Sequence, residues 1–101
     1  MKFYVLKLFG PRPTFVQDMT AEERTLMGAH SAYWRQQMAL GKVVVFGPVM
    51  DPTGPYGLGV IRLEENEDPQ AFWSDDPAMK ANVGFRVEAA PMATAVLPVP
   101  G

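Results

Sequence analysis

The first stretch of the chain carries apolar residues on both sides of an extended backbone. Within Lys2–Phe9, the side chains of Tyr4, Leu6 and Leu8 project to one side. The positions between them are mostly apolar as well. This pattern predicts a β-strand with two faces that both need a covering layer.

Three more segments have the β-branched and aromatic content of strands. They are Val43–Phe46, Leu58–Leu63 and Phe85–Ala90. Gly47 and Pro48 are expected to end the first of them, and the turn-forming residues 51–57 are expected to connect it to the next as a long hairpin loop.

Apolar residues at steps of three and four predict an amphipathic helix over Thr20–Leu40. Its apolar face consists of Met27, His30, Trp34 and Met38. Thr20 and Glu23 form a capping box at the start of the helix, and Gly41 supplies the left-handed position that ends it.

Two Asp-Pro steps predict a second, broken helix later in the chain. Asp68 precedes Pro69, and Asp76 precedes Pro77, so each aspartate caps a short helical piece whose first residue is proline. The resulting element order, βαββαβ, is that of an α+β, ferredoxin-like fold, in which two helices cover one face of a four-stranded antiparallel sheet.

The second face of this sheet is also apolar, and we expect it to meet the same face of a second copy in a homodimer. The apolar tail, residues 92–101, is expected to dock on the partner chain. No repeat or linker divides the sequence, so residues 1–101 are expected to form a single domain.

Composition and charge narrow the choice of partners. Hydrophobic residues make up 48% of the 101 residues, and the net charge of −2 comes from scattered groups, which is not the footprint of a protein that binds nucleic acid or an anionic membrane surface. No apolar run reaches the ~20 residues of a membrane helix. With no cysteine in the chain, a cytoplasmic location is expected, and neither a metal nor a cofactor is indicated.

The only histidine, His30, is the first candidate for chemistry, because an imidazole on an apolar helix face needs a hydrogen-bond partner. The candidate acceptors are a backbone carbonyl, Ser31, Tyr33, Asp51, Asp75 and Asp76. Asp76 is the favoured acceptor because a helix N-terminus keeps its carboxylate ionised. An ionised carboxylate on one ring nitrogen of His30 leaves the other nitrogen free as a general base or acid.

Each of these residues also has a plainer interpretation. His30 is explained by a bond to a carbonyl in the core, and Asp76 by helix capping alone. Asp51, Tyr33 and Trp34 are candidate substrate contacts, but Asp51 also fits a turn and the two aromatic residues fit packing in the core or a dimer interface.

Several segments together resemble the YciI-like (YCII-related) family. They are residues 28–34 with His30, residues 41–54 with the Gly-Pro step, the Asp76-Pro77 step, and residues 87–92. The resemblance implies a dimeric α+β barrel in which His30 and Asp76 form the active-site pair. One branch of that family is similar to a dehydrochlorinase that acts on a chlorinated hydroxyquinol. Many relatives carry an arginine at the position of Met27.

Three functions follow from these observations. The first is a small cofactor-independent enzyme, lyase-like in its chemistry, in which His30 and Asp76 move a proton on a small cyclic or aromatic molecule. The second is a dimeric module that binds a small ligand without catalysis. In the third, His30 is a structural residue of a dimer core.

Overall fold

The computed structural model describes residues 1–99 and contains the predicted strands and main helices. The strands are β1 (Lys2–Phe9), β2 (Val43–Val49), β3 (Tyr56–Leu63) and β4 (Arg86–Pro91). The helices are α1 (Phe15–Asp18), α2 (Ala21–Ala39), α3 (Pro69–Ser74) and α4 (Pro77–Lys80). The sheet order is β2-β3-β1-β4 with every neighbouring pair antiparallel, which confirms the α+β, ferredoxin-like arrangement.

The predicted signals at the ends of α2 are confirmed. The Thr20 hydroxyl accepts from the backbone N–H of Glu23 at 3.1 Å, and the Glu23 carboxylate accepts from the backbone N–H of Thr20 at 2.8 Å. Gly41 follows the helix with φ +81°, a left-handed conformation that glycine adopts without strain. The exposed side chain of Met38 shows that the apolar face does not extend to the last turn.

The prediction that Gly47 and Pro48 end the second strand is wrong. β2 continues through both residues to Val49, and Pro48 pairs with Gly57 of β3. Because β2 is an edge strand, its proline can lack a backbone N–H without breaking a bond inside the sheet.

Two other boundaries and one element differ from the prediction. β3 begins two residues early at Tyr56, and β4 is shifted by one residue to Arg86–Pro91. The short helix α1 lies in the segment between β1 and α2, where no element was predicted. It is only 4 residues long, and it forms where Phe15 turns inward and becomes buried.

The core lies between α2, α3 and one face of the sheet. It is a cluster of six buried apolar residues: Leu6, Trp34, Val43, Ile61, Leu63 and Phe72. Ile61 on the central strand β3 is fully buried. The strand alternation that places Leu6 and Ile61 against the helices turns their neighbours to the opposite face.

That opposite face carries a group of apolar side chains, with Arg62 opposite Phe3 and Lys7 opposite Glu88 at its margins. The strand register pairs Val60 of β3 with Val5 on one side and with Val45 on the other. Phe3, Val5 and Val60 are half-buried, and Val45 is 51% exposed. We call Phe3, Val5, Val45 and Val60 the open sheet face.

Beyond β4 the chain runs on without regular secondary structure through residue 99, and residues 100–101 of the predicted tail lie outside the described residues. Val96 and Val99 of this tail are almost fully exposed. None of the helices within residues 1–99 combines the length and the apolarity needed to cross a membrane.

Candidate functional site

His30 and Asp76 meet where α2 packs beside α4. Nδ1 of His30 lies 2.7 Å from Oδ2 of Asp76. The imidazole is 17% exposed and the carboxylate only 3%, so the aspartate lies behind the histidine as seen from solvent. Of the possible acceptors for His30, the structure therefore brings Asp76 into hydrogen-bond contact.

The Asp76 carboxylate accepts three hydrogen bonds. Besides His30, Oδ2 accepts from Nε1 of Trp34 at 2.8 Å, and Oδ1 accepts from the backbone N–H of Ala78 at 2.9 Å, which is the N-cap bond of α4. An ionised carboxylate can only accept, so Nδ1 of His30 must carry the proton in this arrangement. In the neutral imidazole the other ring nitrogen, Nε2, is then an acceptor.

His30 forms part of the wall of a cavity of about 420 Å³ between the sheet and α2. Nε2 has no hydrogen-bond partner among residues 1–99. Ser31, Trp34 and Asp76 share this wall with His30. The remaining wall is almost entirely apolar, with Leu8, Phe46, Trp73 and Phe85 among its larger side chains.

Two glycines of β3 form the floor of the cavity. A Cβ atom on Gly59 would lie 2.3 Å from the Trp34 ring, so the indole packs directly on the backbone of the strand. Phe72 contacts the same ring edge-on, with centroids 4.9 Å apart. At Gly57 a Cβ would meet only Leu8, at 3.5 Å, and the space above it belongs to the cavity. Gly59 thus allows Trp34 to pack on the strand, and Gly57 leaves open space in the cavity.

The segment that contains α1 covers the cavity from one side. Phe15, Val16 and Met19 line the cavity, and Phe15 packs edge-on against Phe85, with centroids 5.2 Å apart. This segment is tied to α2 through Arg12. We call residues 10–19 the cover segment.

Arg12 holds the cover segment by a fork of hydrogen bonds. Nη1 and Nη2 each donate to one oxygen of Glu23 at 2.8 Å, and Nε donates to Asp18 at 2.7 Å. These bonds from Arg12, together with the bond from the backbone N–H of Thr20, lower the pKa of Glu23 to about 2. The Glu23 carboxylate therefore caps α2 and anchors the cover segment at the same time.

Of the three predicted substrate contacts, only Trp34 lines the cavity. Tyr33 points to another side of α2, where its hydroxyl donates to the carbonyl of Phe72 at 2.5 Å. Burial, and then the nearby carboxylates of Asp75 and Asp76, raise the pKa of Tyr33 to about 12. Tyr33 thus joins α2 to α3.

Asp51 is likewise not among the described residues that line the cavity. Its carboxylate accepts from the backbone N–H and the hydroxyl of Thr53, at 2.9 and 2.8 Å. These bonds hold the pKa of Asp51 below its usual value. Asp51 therefore stabilises its own turn, as the plainer interpretation of an aspartate before proline predicts.

Sequence reasoning missed the bond between Trp34 and Asp76, the glycine floor and the cover segment. The spacing of His30 and Trp34, four residues apart on one helix face, was a signal that both could reach one acceptor. Glycines inside a strand signal a close approach of another group. Within residues 1–99 no three His, Asp or Glu side chains are grouped closely enough to hold a metal ion.

Comparisons with known proteins agree with this architecture. The chain matches the model of the YCII-related domain over residues 1–93, which include every strand, every helix and all the residues of the site. No curated protein matches the chain. Since the matched region spans most of the sequence, the chain belongs to the YCII-related family.

Proposed function

We propose that this protein is a small enzyme in which His30, oriented by Asp76, moves a proton on a small cyclic or aromatic molecule held in the cavity. The observation that carries the proposal is the 2.7 Å contact between His30 and Asp76 in the wall of an apolar cavity. Imidazole is the side chain that enzymes use most often for proton transfer near neutral pH. The proposed reaction needs no group beyond these side chains and the substrate.

In the proposed step, Nε2 of His30 takes a proton from an acidic O–H or C–H group of the substrate. The electron pair left behind shifts through the substrate, and a leaving group departs with a pair of its own. Asp76 stays ionised and stabilises the imidazolium that forms. Proton transfer of this kind contributes about 10²–10⁴ in rate, so the substrate must already be activated.

The similarity of one family branch to a dehydrochlorinase suggests chloride as the leaving group. We would therefore incubate the protein with chlorinated hydroxyquinols and measure the chloride released. His30→Gln, which keeps a hydrogen-bonding side chain but cannot shuttle a proton, is expected to lower kcat/KM about 10²–10⁴-fold. Asp76→Asn is expected to lower it as well.

Asp75→Asn is the matched control, because Asp75 is adjacent in sequence but does not line the cavity. It should release chloride at the wild-type rate. Equal rates in wild type and His30→Gln would contradict the proposed role of His30. Binding of the substrate by both proteins with turnover in neither would instead support a small-ligand-binding module.

We further propose that two copies associate through the open sheet face. The support is the apolar character of Phe3, Val5, Val45 and Val60, on the face of the sheet away from the helix-packed core. A contiguous apolar surface of this kind is typical of an interaction site. The two cavities would lie on the outer sides of the two sheets in such a homodimer.

A further inference from the structure

We propose that the cavity takes an uncharged ligand that presents a hydroxyl-like group at one end, and that Met27 sets this charge preference. The inference rests on the proposed function and names the substrate class for the same site. It follows from the identity of the side chains that line the cavity and from the hydrogen bonds that the polar ones already make.

Among the described residues, the cavity wall offers an anion no lysine or arginine as a partner. Within residues 1–99 no lysine or arginine lines it, and its only carboxylate is that of Asp76. The three N–H groups nearest to that carboxylate, from His30, Trp34 and Ala78, already donate to it. An anion would therefore lose its hydration without gaining a lysine or arginine as counter-charge, with the uncharged hydroxyl of Ser31 as a side-chain donor, and the negative charge of Asp76 would repel it.

A cation gains little in the same place. Both oxygens of Asp76 already accept hydrogen bonds, and His30 and Trp34 cover the carboxylate. The rest of the wall is apolar, and its aromatic rings can replace the hydration shell of an ammonium group only in part. Uncharged ligands remain as the class that the cavity accommodates at the lowest cost.

One end of the cavity is polar and suits a single hydroxyl-like group. Nε2 of His30 accepts, and the neighbouring hydroxyl of Ser31 can donate, because its oxygen already accepts from Nε of Arg35 at 3.3 Å. Both residues lie on the α2 side of the cavity. A ligand with one group that donates to His30 and accepts from Ser31 would place the rest of its surface against apolar side chains.

Met27 is the position where a single change would alter this preference. It lies three residues before His30 on the same helix face, and both side chains line the cavity. A lysine there would bring an ammonium group next to the polar end of the cavity. The uncharged thioether of Met27 therefore leaves this end without a positive charge.

The test uses two fluorescent probes that differ only in a sulfonate, N-phenylnaphthylamine and anilinonaphthalenesulfonate. Wild type is expected to bind the neutral probe, with its single N–H group, with a Kd at least tenfold lower than that of the anionic probe. A Kd for the sulfonate equal to or lower than that of the neutral probe would overturn the proposal. This comparison needs no variant.

Two variants test whether the neutral probe binds in this cavity. Gly57→Val would fill the cavity from its floor, and its Cβ would meet only Leu8, at 3.5 Å, so it should raise the Kd of the neutral probe at least tenfold. Gly28→Ala is the control, since a Cβ there meets nothing within 4 Å, and it should leave the Kd unchanged. If Gly57→Val also leaves the Kd unchanged, the neutral ligand does not occupy this cavity and the proposal is wrong.

Met27→Lys is expected to shift the ratio of the two Kd values at least tenfold toward the sulfonate, and an unchanged ratio would remove Met27 from the proposal. All of these readouts are binding constants and do not depend on turnover. The two proposals therefore fail under different results. If wild type does not prefer the neutral probe, the proposed ligand class is wrong. If His30→Gln keeps the turnover of wild type, the proposed function alone is wrong.

Discussion

At the scale of single residues, the protonation pattern of the site depends on the fact that a carboxylate only accepts hydrogen bonds. An asparagine at position 76 would present an amide N–H₂ as well as an oxygen. In Asp76→Asn we expect the amide oxygen to keep the N-cap bond from Ala78, which turns the N–H₂ group toward His30 and breaks the bond from Trp34. The amide then donates to Nδ1 of His30, so that the ring proton moves from Nδ1 to Nε2. The site would then lose its free acceptor.

Nitrogen-15 NMR of the imidazole measures this change directly, because the chain has one histidine and its signals need no assignment. The wild type should show the Nδ1–H tautomer and Asp76→Asn the Nε2–H tautomer. Asp75→Asn is again the control and should leave the tautomer as it is in the wild type. Identical tautomers in wild type and Asp76→Asn would mean that Asp76 does not set the state of His30.

The contact between Gly59 and Trp34 yields a second prediction at this scale. In Gly59→Ala the new methyl group would overlap the indole, which is held by Phe72 and by its bond to Asp76. We expect a loss of about 1–3 kcal/mol in the free energy of unfolding, measured by urea denaturation, because overpacking strains a core.

Gly28→Ala tests the same chemical change where there is space. Gly28 lies within α2, and a Cβ there meets nothing within 4 Å. It is expected to gain roughly 0.5–1 kcal/mol through the higher helix propensity of alanine. Equal effects of the two substitutions would show that the indole yields to the methyl group and does not fix the geometry of the site.

The sequence pointed to Asp76 among several candidate partners of His30, and the resemblance to the family implied the same pair. A histidine on an apolar helix face needs a partner, and an Asp-Pro step fixes a carboxylate at a helix start. The cavity could not be predicted in the same way. It depends on how the sheet lies under α2, and Gly57 and Gly59 by themselves only indicate that something approaches the strand closely.

At the scale of elements, the start of α2 and the cover segment share one carboxylate, that of Glu23. Its pKa of about 2 lies below the value near 4.5 of an unfolded chain, so its bonds stabilise the fold fully above about pH 4.5 and are lost as the pH falls toward 2. Glu23→Gln should therefore be less stable than wild type at pH 7, and the difference should shrink between pH 5 and pH 2.

Thermal unfolding followed by circular dichroism at a series of pH values measures this difference. Glu22→Gln removes one charge from the same helical turn at an exposed position and serves as the matched control. A difference between Glu23→Gln and wild type that stays constant from pH 7 to pH 2 would show that the ionised fork with Arg12 does not stabilise the fold.

Elements whose ends have specific side-chain signals were predicted best. The capping box of α2 and the two Asp-Pro steps placed the helix starts correctly. The end of β2 was missed because the effect of a proline depends on whether its strand lies at the edge of a sheet, which sequence order alone does not reveal. α1 was missed because 4 residues carry no periodicity, and its position depends on the burial of Phe15.

At the scale of the whole molecule, the proposed homodimer can be tested on the open sheet face. Val45→Lys would place a charge within the proposed interface, on its edge strand β2, and burying it there without a partner is costly. We expect wild type to sediment as a dimer and Val45→Lys as a monomer in analytical ultracentrifugation. Val83→Lys is the matched control, because Val83 has the same 51% exposure but lies outside the sheet.

A monomeric Val83→Lys, or a wild type that is monomeric at micromolar concentration, would contradict the proposed interface. The sequence predicted the need for a covering layer because β1 is apolar on both sides. The alternation of side chains along β1 could not identify what supplies that layer, since a second copy and a further segment of the same chain would both cover the strand.

The N-cap bond of Asp76 has a consequence for the dynamics of the site. α4 is a single turn of 4 residues, which is too short to be stable in isolation, so its order depends on the contacts of its cap. The backbone N–H of Ala78 is bound to the same carboxylate that holds His30 and Trp34. The rate at which this one amide exchanges its hydrogen with solvent therefore reports how often Asp76 leaves its place at the start of α4, and it does so from a buried residue that a ligand in the cavity need not contact.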